Sequence, residues 1–200
     1  MRPNVVLASA SPRRRELLTL IGIEHSVVPS NFDETMQPGE EPLGHALRLA
    51  VEKAGAVASA HPDAVVIGAD TVVVLDGEVL GKPSTPAAAG GMLRQLNGRT
   101  HTVITAVAVA YDGAVRQGAE QVAVTFRRLD DDEVDAYVAT GEGMDKAGAY
   151  GIQGFGATIV ERIEGDYFAV MGLPLVRLVG LLREVGVRYR FGSLESAAAE

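Results

Sequence analysis

The sequence predicts an α/β fold in which a mixed β-sheet is flanked by helices. Three observations support this prediction. Apolar runs of strand length recur along the chain, stretches with apolar residues at helical spacing separate them, and Asp-Gly pairs stand at two of the expected turns. The alternation is not that of regular βαβ units, so parallel and antiparallel strands are expected in one sheet.

The first elements are a strand and two helices. Residues 4–8 (NVVLA) form an apolar run, which predicts a short buried strand. A helix is expected next because Ser11 is a favourable N-cap and Pro12 is favourable at the first helical position, and Gly22 is expected to end it. Apolar residues at helical spacing predict a second helix from about 43 to 60.

A dense β region follows. Residues 64–68 and 71–75 are apolar runs, and an Asp-Gly turn signal predicts that the second run pairs with residues 78–80. A third helix is predicted at 86–96, where an Asn-Gly pair ends the helical pattern.

The second half of the chain continues with strands and helices. Residues 102–111 and 121–127 are predicted as strands, with another Asp-Gly turn signal between them. A fourth helix is expected to begin at Asp130, because Glu133 three residues later completes a capping-box pattern. The remaining predicted elements are a hairpin, with strands at 157–163 and 167–170 around Glu164-Gly165, and a closing helix at 174–185.

Composition sets the broad class of the protein. The chain has 200 residues, 47% of them hydrophobic, a net charge of −8 and no cysteine. A chain of this length and composition can form one α/β domain with an apolar core, and we place this domain at residues 1–187. Residues 188–200 are predicted as a disordered C-terminal tail. The net charge argues against binding of nucleic acid polymers, and no apolar run reaches the roughly 20 residues of a membrane span. The N-terminal segment lacks the order of a secretory signal, so a cytoplasmic location is expected.

The segment Ser9-Ala-Ser-Pro-Arg-Arg-Arg15 lies at the predicted junction between the first strand and the first helix. The N-terminus of a helix presents unpaired N–H groups and a partial positive charge, which suit a phosphate. Three arginines in the first turns oppose the helix dipole, which indicates an anionic partner. The alternative interpretation is an ordinary capped helix with solvated arginines.

Acidic residues stand at two further positions of interest. Asp70 lies between two apolar runs, and carboxylates at strand ends commonly serve as metal ligands or general bases. The alternative is a turn aspartate that accepts local N–H groups. The pair Asp33-Glu34 also has two interpretations, a metal ligand or a solvated loop.

Two lysines are candidates for phosphate binding. Lys53 lies inside the apolar-striped second helix, and Lys82 follows a glycine in Leu80-Gly-Lys-Pro83. Either lysine has the alternative role of a side chain whose stem covers apolar surface while its ammonium reaches water.

A glycine-rich segment, Asp145-Lys-Ala-Gly-Ala-Tyr-Gly-Ile-Gln-Gly154, allows close backbone approach to a ligand. Gln153 offers a donor and an acceptor, which suit the edge of a nucleobase. A purely structural glycine-rich loop is the alternative. The chain has no P-loop motif, and its four histidines lack the spacing of zinc ligands.

Taken together, these segments resemble the Maf family of nucleotide pyrophosphatases over nearly the whole chain, to about residue 187. Seven motifs occur in the family's order, and this makes the resemblance specific. They are S-A-S-P-R-R-R, F-D-E, E-K-A, G-A-D-T-V-V, G-K-P, D-K-A-G-A-Y-G-I-Q-G and G-L-P.

The resemblance implies a Maf/inosine-triphosphatase-like fold with two lobes around a nucleotide cleft. It implies hydrolysis of a nucleoside triphosphate to the monophosphate and pyrophosphate, with Asp70 as proton acceptor. A divalent metal cation, Mg²⁺ or Mn²⁺, would be held near Glu34 and Asp70, and homodimers are expected. The implied phosphate contacts come from Ser9, Arg14, Lys53 and Lys82.

Within the family, the sequence is similar to the branch that acts on dTTP and UTP. That similarity rests on Arg13, Thr71 and Gln153, which the resemblance makes the determinants of substrate selectivity. Two alternatives stay open. One is a sanitising hydrolase of modified nucleotides, and the other is a non-hydrolysing nucleotide-binding regulator of cell division, which would not need both Asp70 and Glu34.

Overall fold

The computed structural model describes residues 2–30 and 34–196, which form six α-helices and nine strands. The helices are α1 (Pro12–Leu20), α2 (Pro42–Ala58), α3 (Pro86–Leu96), α4 (Asp131–Ala139), α5 (Tyr167–Met171) and α6 (Leu175–Glu184). The strands are β1 (Asn4–Leu7), β2 (Ser26–Val27), β3 (Ala64–Leu75), β4 (Glu78–Leu80), β5 (Thr100–Tyr111), β6 (Ala114–Phe126), β7 (Val160–Glu164), β8 (Val187–Tyr189) and β9 (Leu194–Ser196). Short 3₁₀ helices span Ala147–Ala149 and Gly154–Thr158.

The main sheet is mixed, as the sequence predicts. Its strand order is β2-β1-β3-β5-β6-β7, and β4 also pairs with β3. Strand β1 is parallel to β2 and β3, whereas β4 pairs antiparallel with β3 and β7 pairs antiparallel with β6. The predicted α/β class with a mixed sheet is therefore confirmed.

The chain divides into two compact units, in agreement with the two lobes that the family resemblance implies. The first unit covers the described residues up to Asp70, then Thr105–Glu120, and the described residues from Gly172 onward. The second unit covers Thr71–Ile104 and Gln121–Met171. Each long strand β3, β5 and β6 passes from one unit to the other, so the predicted domain at 1–187 contains two units.

In the first unit, Gly68 is the point where β3 meets α2. A Cβ atom built on Gly68 would lie 2.6 Å from the backbone nitrogen of Ala54 and closer still to the carbonyl oxygen of Ala50. Because real Cβ atoms do not approach backbone atoms so closely, only glycine lets the helix pack against the strand at this distance. This contact brings Lys53 of α2 next to the part of β3 that carries Asp70.

The second unit has its own apolar core, and three rings pack edge to face within it. The centroids of His101 and Phe126 are 5.0 Å apart, and those of Phe126 and Tyr150 are 4.7 Å apart. The His101 Nε2 atom lies 2.7 Å from the Tyr150 hydroxyl, and burial lowers the pKa of the imidazole to about 4. His101 is therefore a neutral core residue at neutral pH.

Two predicted elements of the first half differ in the structure. Residues 64–75 form one continuous strand rather than two, because the backbone from Gly68 to Asp70 stays extended and buried. The short strand β2 was not predicted, since only Ser26 and Val27 pair with β1 and both are exposed.

Two differences also occur in the second half. The predicted strand at 167–170 is wrong, because these residues begin α5, where the Asp166 carboxylate accepts a hydrogen bond of 2.8 Å from the Phe168 N–H. The segment predicted as a disordered tail contains the antiparallel pair β8 and β9 as far as Ser196. Buried Leu194 and a 2.7 Å hydrogen bond from the Tyr189 hydroxyl to the Ile21 carbonyl stabilise this hairpin. Residues 197–200 lie outside the described residues.

The capping signal of α4 and the first Asp-Gly turn signal agree with the structure, whereas Ser11 stands at the N-cap of α1 without a side-chain cap hydrogen bond. Asp130 and Glu133 form the predicted capping box at the start of α4. Asp76 and Gly77 both have positive φ, 52° and 86°, in the turn between β3 and β4, which is the conformation that an Asp-Gly pair favours. In the part of the chain that is described, no helix is long and apolar enough to cross a membrane.

Candidate active site

Arg14 joins the segment after β1 to the middle of the parallel strand β3 in the first unit. Its Nη1 atom donates to the Ser9 hydroxyl at 3.0 Å, just beyond β1, and to the Ala69 carbonyl of β3 at 2.9 Å. Its Nε atom donates to the Gly172 carbonyl at 2.8 Å. Burial lowers the pKa of the Arg14 guanidinium, and the neighbouring Asp70 carboxylate opposes that shift. A positive charge therefore lies within the fold between the end of β1 and the middle of β3.

Lys53 joins two carboxylates in the same unit. Its ammonium lies 2.6 Å from the Asp70 Oδ1 atom and 2.8 Å from the Glu34 Oε1 atom. The side chains of Lys53 and Asp70 are about nine-tenths buried, whereas that of Glu34 is 49% exposed. Buried charges are costly unless they are paired, and here the Lys53 ammonium contacts both carboxylates. Glu34 is the exposed member of this cluster.

The loop that carries Glu34 is held to α2 by a second charged group. The Arg48 guanidinium donates to both Glu40 carboxylate oxygens, at 2.7 Å and 2.9 Å, and to the carbonyl oxygen of Thr35 at 3.3 Å. The hydrogen bonds from Arg48 hold the pKa of Glu40 well below its usual range. The backbone next to Glu34 is thereby attached to the helix that carries Lys53.

In the second unit, two of the sequence motifs meet. The Gly148 N–H donates to the Gly81 carbonyl at 3.1 Å, so the G-K-P loop with Lys82 joins the glycine-rich segment. Gly148 has a φ of 69°, a conformation that glycine adopts easily. Lys82 and Gln153 are both exposed, and Thr71 is half-buried in β3.

Glu142 organises the loop that carries Gln153. One carboxylate oxygen accepts hydrogen bonds from the Tyr137 hydroxyl and the Gly156 N–H, both at 2.9 Å, and the other accepts from the Phe155 N–H at 2.8 Å. The Lys146 ammonium donates to the backbone carbonyl of Glu142. Burial opposes ionisation of Glu142, but the hydrogen bonds from Gly156, Phe155 and Tyr137 lower its pKa overall.

The structure brings together some of the predicted site residues. Within the first unit, Lys53, Asp70 and Glu34 form one cluster, and Arg14 contacts Ser9. The interpretation of Lys53 as a surface lysine is wrong, because it is buried and paired. The interpretation of Asp70 as a turn residue is also wrong, because it lies within β3.

The other predicted residues are divided between the two units. Arg13 is half-buried beside Arg14, and Lys82, Thr71 and Gln153 belong to the second unit. Asp33, the neighbour of Glu34, lies outside the described residues. The catalytic and binding roles of all these residues remain predictions.

Sequence reasoning did not identify Glu142, Tyr137, Glu40 or Arg48. The sequence contains one signal for Glu142, which stands between two glycines just before the glycine-rich segment. The contact between Glu40 and Arg48 crosses from a loop to a helix, so no local pattern predicts it.

The two carboxylates of the cluster are the predicted ligands of a divalent metal. Mg²⁺ commonly binds one or two protein carboxylates together with phosphate oxygens, and Glu34 and Asp70 supply such a pair. Among the described residues, no group of three or more His, Cys, Asp or Glu side chains could hold a metal ion. Glu34 and Asp70 are therefore oxygen donors of the kind that Mg²⁺ takes, and the metal site stays a prediction.

Sequence comparisons match known proteins over most of the chain. A dTTP/UTP pyrophosphatase of Moorella thermoacetica is 55% identical over 185 residues, covering 92% of this chain and 95% of that protein. A dTTP/UTP pyrophosphatase of Aquifex aeolicus is 49% identical, covering 92% and 96%. The solved structure of the Staphylococcus aureus Ham1 protein aligns with a TM-score of 0.46 and 18% identity, covering 78% of this chain and 79% of that one. The model of the family described as Maf-like protein matches residues 4–185. The chain belongs to the Maf-like protein family.

Proposed function

We propose that this protein is a nucleoside triphosphate pyrophosphatase that hydrolyses dTTP and UTP to dTMP and UMP, with release of pyrophosphate. The observation that carries the proposal is the buried cluster of Lys53 and Asp70 with the exposed Glu34 carboxylate. The two dTTP/UTP pyrophosphatases of 55% and 49% identity support the substrate class.

Phosphate binding is the task of the basic residues. A triphosphate carries several negative charges, which repel an approaching nucleophile until cations neutralise them. Arg14 and Lys53 bring two buried cations into the first unit, and Ser9 adds a hydroxyl that already accepts a hydrogen bond from Arg14. Lys82, on an exposed loop of the second unit, is proposed as a further phosphate ligand.

The chemical step is an attack of water on the α-phosphorus. Asp70 accepts a proton from the water while the water oxygen forms a bond to the α-phosphorus. The bond from the α-phosphorus to the oxygen that bridges to the β-phosphate breaks. The leaving group is pyrophosphate, and the remaining product is the nucleoside monophosphate. The reaction consumes one water, and the proton passes from Asp70 to solvent.

A divalent cation, Mg²⁺ or Mn²⁺, is proposed at Glu34 and Asp70. When bound, it would neutralise phosphate charge and favour departure of pyrophosphate. Lys53 contacts both carboxylates, and its charge keeps the two side chains together without the metal.

Substrate selectivity is assigned to Gln153, Arg13 and Thr71. Thymine and uracil present an N3–H donor between two carbonyl acceptors, whereas cytosine presents an amino group at C4 and a bare N3. The amide of Gln153 can pair with one donor and one acceptor of the base. Arg13 can only donate, so its guanidinium would face the C4 amino group of cytosine, which is also a donor. Mismatched buried polar groups cost about 1–3 kcal/mol each, which corresponds to roughly ten- to a hundredfold discrimination. Thr71 would limit the size of the pocket and disfavour purines.

The test is a pyrophosphate-release assay with common and modified triphosphates, each with and without Mg²⁺ or Mn²⁺. We expect the highest kcat/KM for dTTP and UTP, loss of activity with a chelator, and its recovery when Mg²⁺ is added. Gln153→Glu should reduce the preference for dTTP over CTP. Full activity after exhaustive chelation would contradict the metal site, and a Gln153→Glu enzyme with unchanged preference would place base recognition elsewhere.

The same assay separates the alternative functions. Higher kcat/KM for modified than for common pyrimidine triphosphates would favour a sanitising hydrolase. Nucleotide binding without turnover under any metal condition would favour a non-hydrolysing regulator.

We also propose that the protein is a cytoplasmic homodimer. Light scattering of the purified protein tests its oligomeric state.

A further inference from the structure

The glycine-rich loop presents Gln153 on an exposed surface, yet its backbone is closely held. Gln153 lies two residues after Gly151 and two residues before Phe155. The Gly151 N–H donates to the Tyr137 hydroxyl at 3.1 Å, and the Phe155 N–H donates to the Glu142 carboxylate at 2.8 Å. The chain is therefore attached on both sides of Gln153, through groups that contact each other.

Glu142 is the centre of this arrangement. Its carboxylate accepts the Tyr137 hydroxyl and the N–H groups of Phe155 and Gly156, so both oxygens are engaged. Hydrogen bonds to an ionised carboxylate are stronger than those between neutral groups. One side chain thus determines the path of the backbone directly after Gln153, and through Tyr137 the path before it.

The loop packs closely at two of its glycines, where a side chain would not fit without a shift. A Cβ atom built on Gly154 would overlap the Glu142 carboxylate, and one built on Gly156 would overlap the Gly151 carbonyl. Gly154 also has a φ of 63°, which side chains other than glycine rarely adopt. The Glu142 carboxylate and the Gly151 carbonyl therefore pack directly against these two glycines.

We infer that Glu142 is a positioning residue for substrate selectivity, which holds Gln153 where it meets the edge of the base. This inference rests on the proposed function, because Gln153 reads the base only if the protein binds a pyrimidine triphosphate. Glu142 acts through the loop and does not take part in the hydrolysis. Base selectivity is consequently a property of the Glu142 and Tyr137 pair as well as of Gln153.

The first test is Glu142→Gln, which keeps the size of the side chain. The amide has one acceptor oxygen and one donor group, so at least one backbone N–H of the loop faces a donor and loses its partner. We expect the ratio of kcat/KM for dTTP to that for CTP to fall about tenfold, mainly through a higher KM for dTTP. Tyr137→Phe removes only the hydroxyl and should lower the same ratio by a smaller factor.

The matched control is Glu133→Gln. The Glu133 carboxylate also accepts a backbone N–H, that of Asp130 at 3.0 Å, but it belongs to the capping box of α4. This variant should retain the dTTP to CTP ratio of the wild type. Amide hydrogen exchange gives a second measurement, since the Phe155 and Gly156 protons should exchange faster in Glu142→Gln but not in Glu133→Gln.

The possible results separate the two proposals. A wild type with no preference for dTTP over CTP would contradict the proposed selectivity and this inference together. A wild-type preference that a folded Glu142→Gln variant keeps would overturn the inference alone. An equal loss of activity on dTTP and CTP in Glu142→Gln would also overturn it, because selectivity would then not depend on Glu142.

Discussion

Gly68→Ala tests whether the contact between β3 and α2 sets the geometry of the cluster. The new methyl group would lie 2.6 Å from the Ala54 nitrogen, whereas ordinary contacts begin at 3.4 Å. The helix and strand must therefore separate by about 0.8 Å (3.4 − 2.6) or more. Overpacking of this kind costs about 1–3 kcal/mol in the free energy of unfolding.

The same displacement should impair catalysis. Lys53 lies on the helix and Asp70 on the strand, and their charged atoms are 2.6 Å apart. A shift of about 1 Å in catalytic groups reduces rates by up to roughly a hundredfold. We expect Gly68→Ala to lower kcat for dTTP between about ten- and a hundredfold while the protein remains folded.

The measurements are urea unfolding and steady-state pyrophosphate release. The matched control is Gly55→Ala, in the same helix, where a new Cβ atom meets nothing within 4 Å. Alanine is favoured over glycine in helices, so this variant should be more stable by about 0.5–1 kcal/mol and retain full activity. If Gly68→Ala matches the wild type in both stability and kcat, the close approach at Gly68 does not determine the geometry of the site.

Further predictions concern single side chains. Asp70→Asn should keep the fold and lower kcat about a hundredfold or more, and near-normal turnover in the folded variant would exclude Asp70 as the general base. Lys53→Ala should reduce both stability and activity, since it leaves the Asp70 carboxylate buried without its lysine partner, whereas Lys82→Ala, at an exposed position, should raise KM with unchanged stability. The pKa of His101 is about 4 in the folded protein and 6.5 when unfolded. The unfolded chain therefore binds a proton first as the pH falls, and stability is lost from pH 6.5 down to about 4, by about 3–4 kcal/mol in total (2.5 pH units at about 1.4 kcal/mol each). Urea unfolding of the wild type and of His101→Gln between pH 7 and 4 checks this, and a stability difference that does not change with pH would refute it.

Much of the fold could be predicted from local signals. The boundaries of α3 at Pro86 and Leu96, and the capping box at Asp130, follow from residues that are adjacent in the chain. Capping and breaking signals act between neighbouring residues, so the sequence marks these boundaries without knowledge of tertiary contacts. The strand predicted at 167–170 is wrong because a short run of apolar residues fits a strand or a buried helix equally well. The hydrogen bond from the Phe168 N–H to the Asp166 carboxylate favours the helix.

The candidate site also has features that the sequence predicts and features that only the structure shows. The residue types and order of the motifs that contain Arg14, Lys53 and Asp70 indicate a phosphate site from the sequence alone, because charge and hydrogen-bonding capacity are properties of each side chain. Their burial and partners were not predictable, since the contact between Lys53 and Asp70 depends on how α2 packs against β3 at Gly68. The roles of Glu142 and Arg48 likewise arise from contacts between segments that are separate in sequence. The sequence by itself determined the chemistry available to this protein, and the tertiary structure decided which charges are paired and which loops are held, because pairing and desolvation depend on distances that only the packed chain defines.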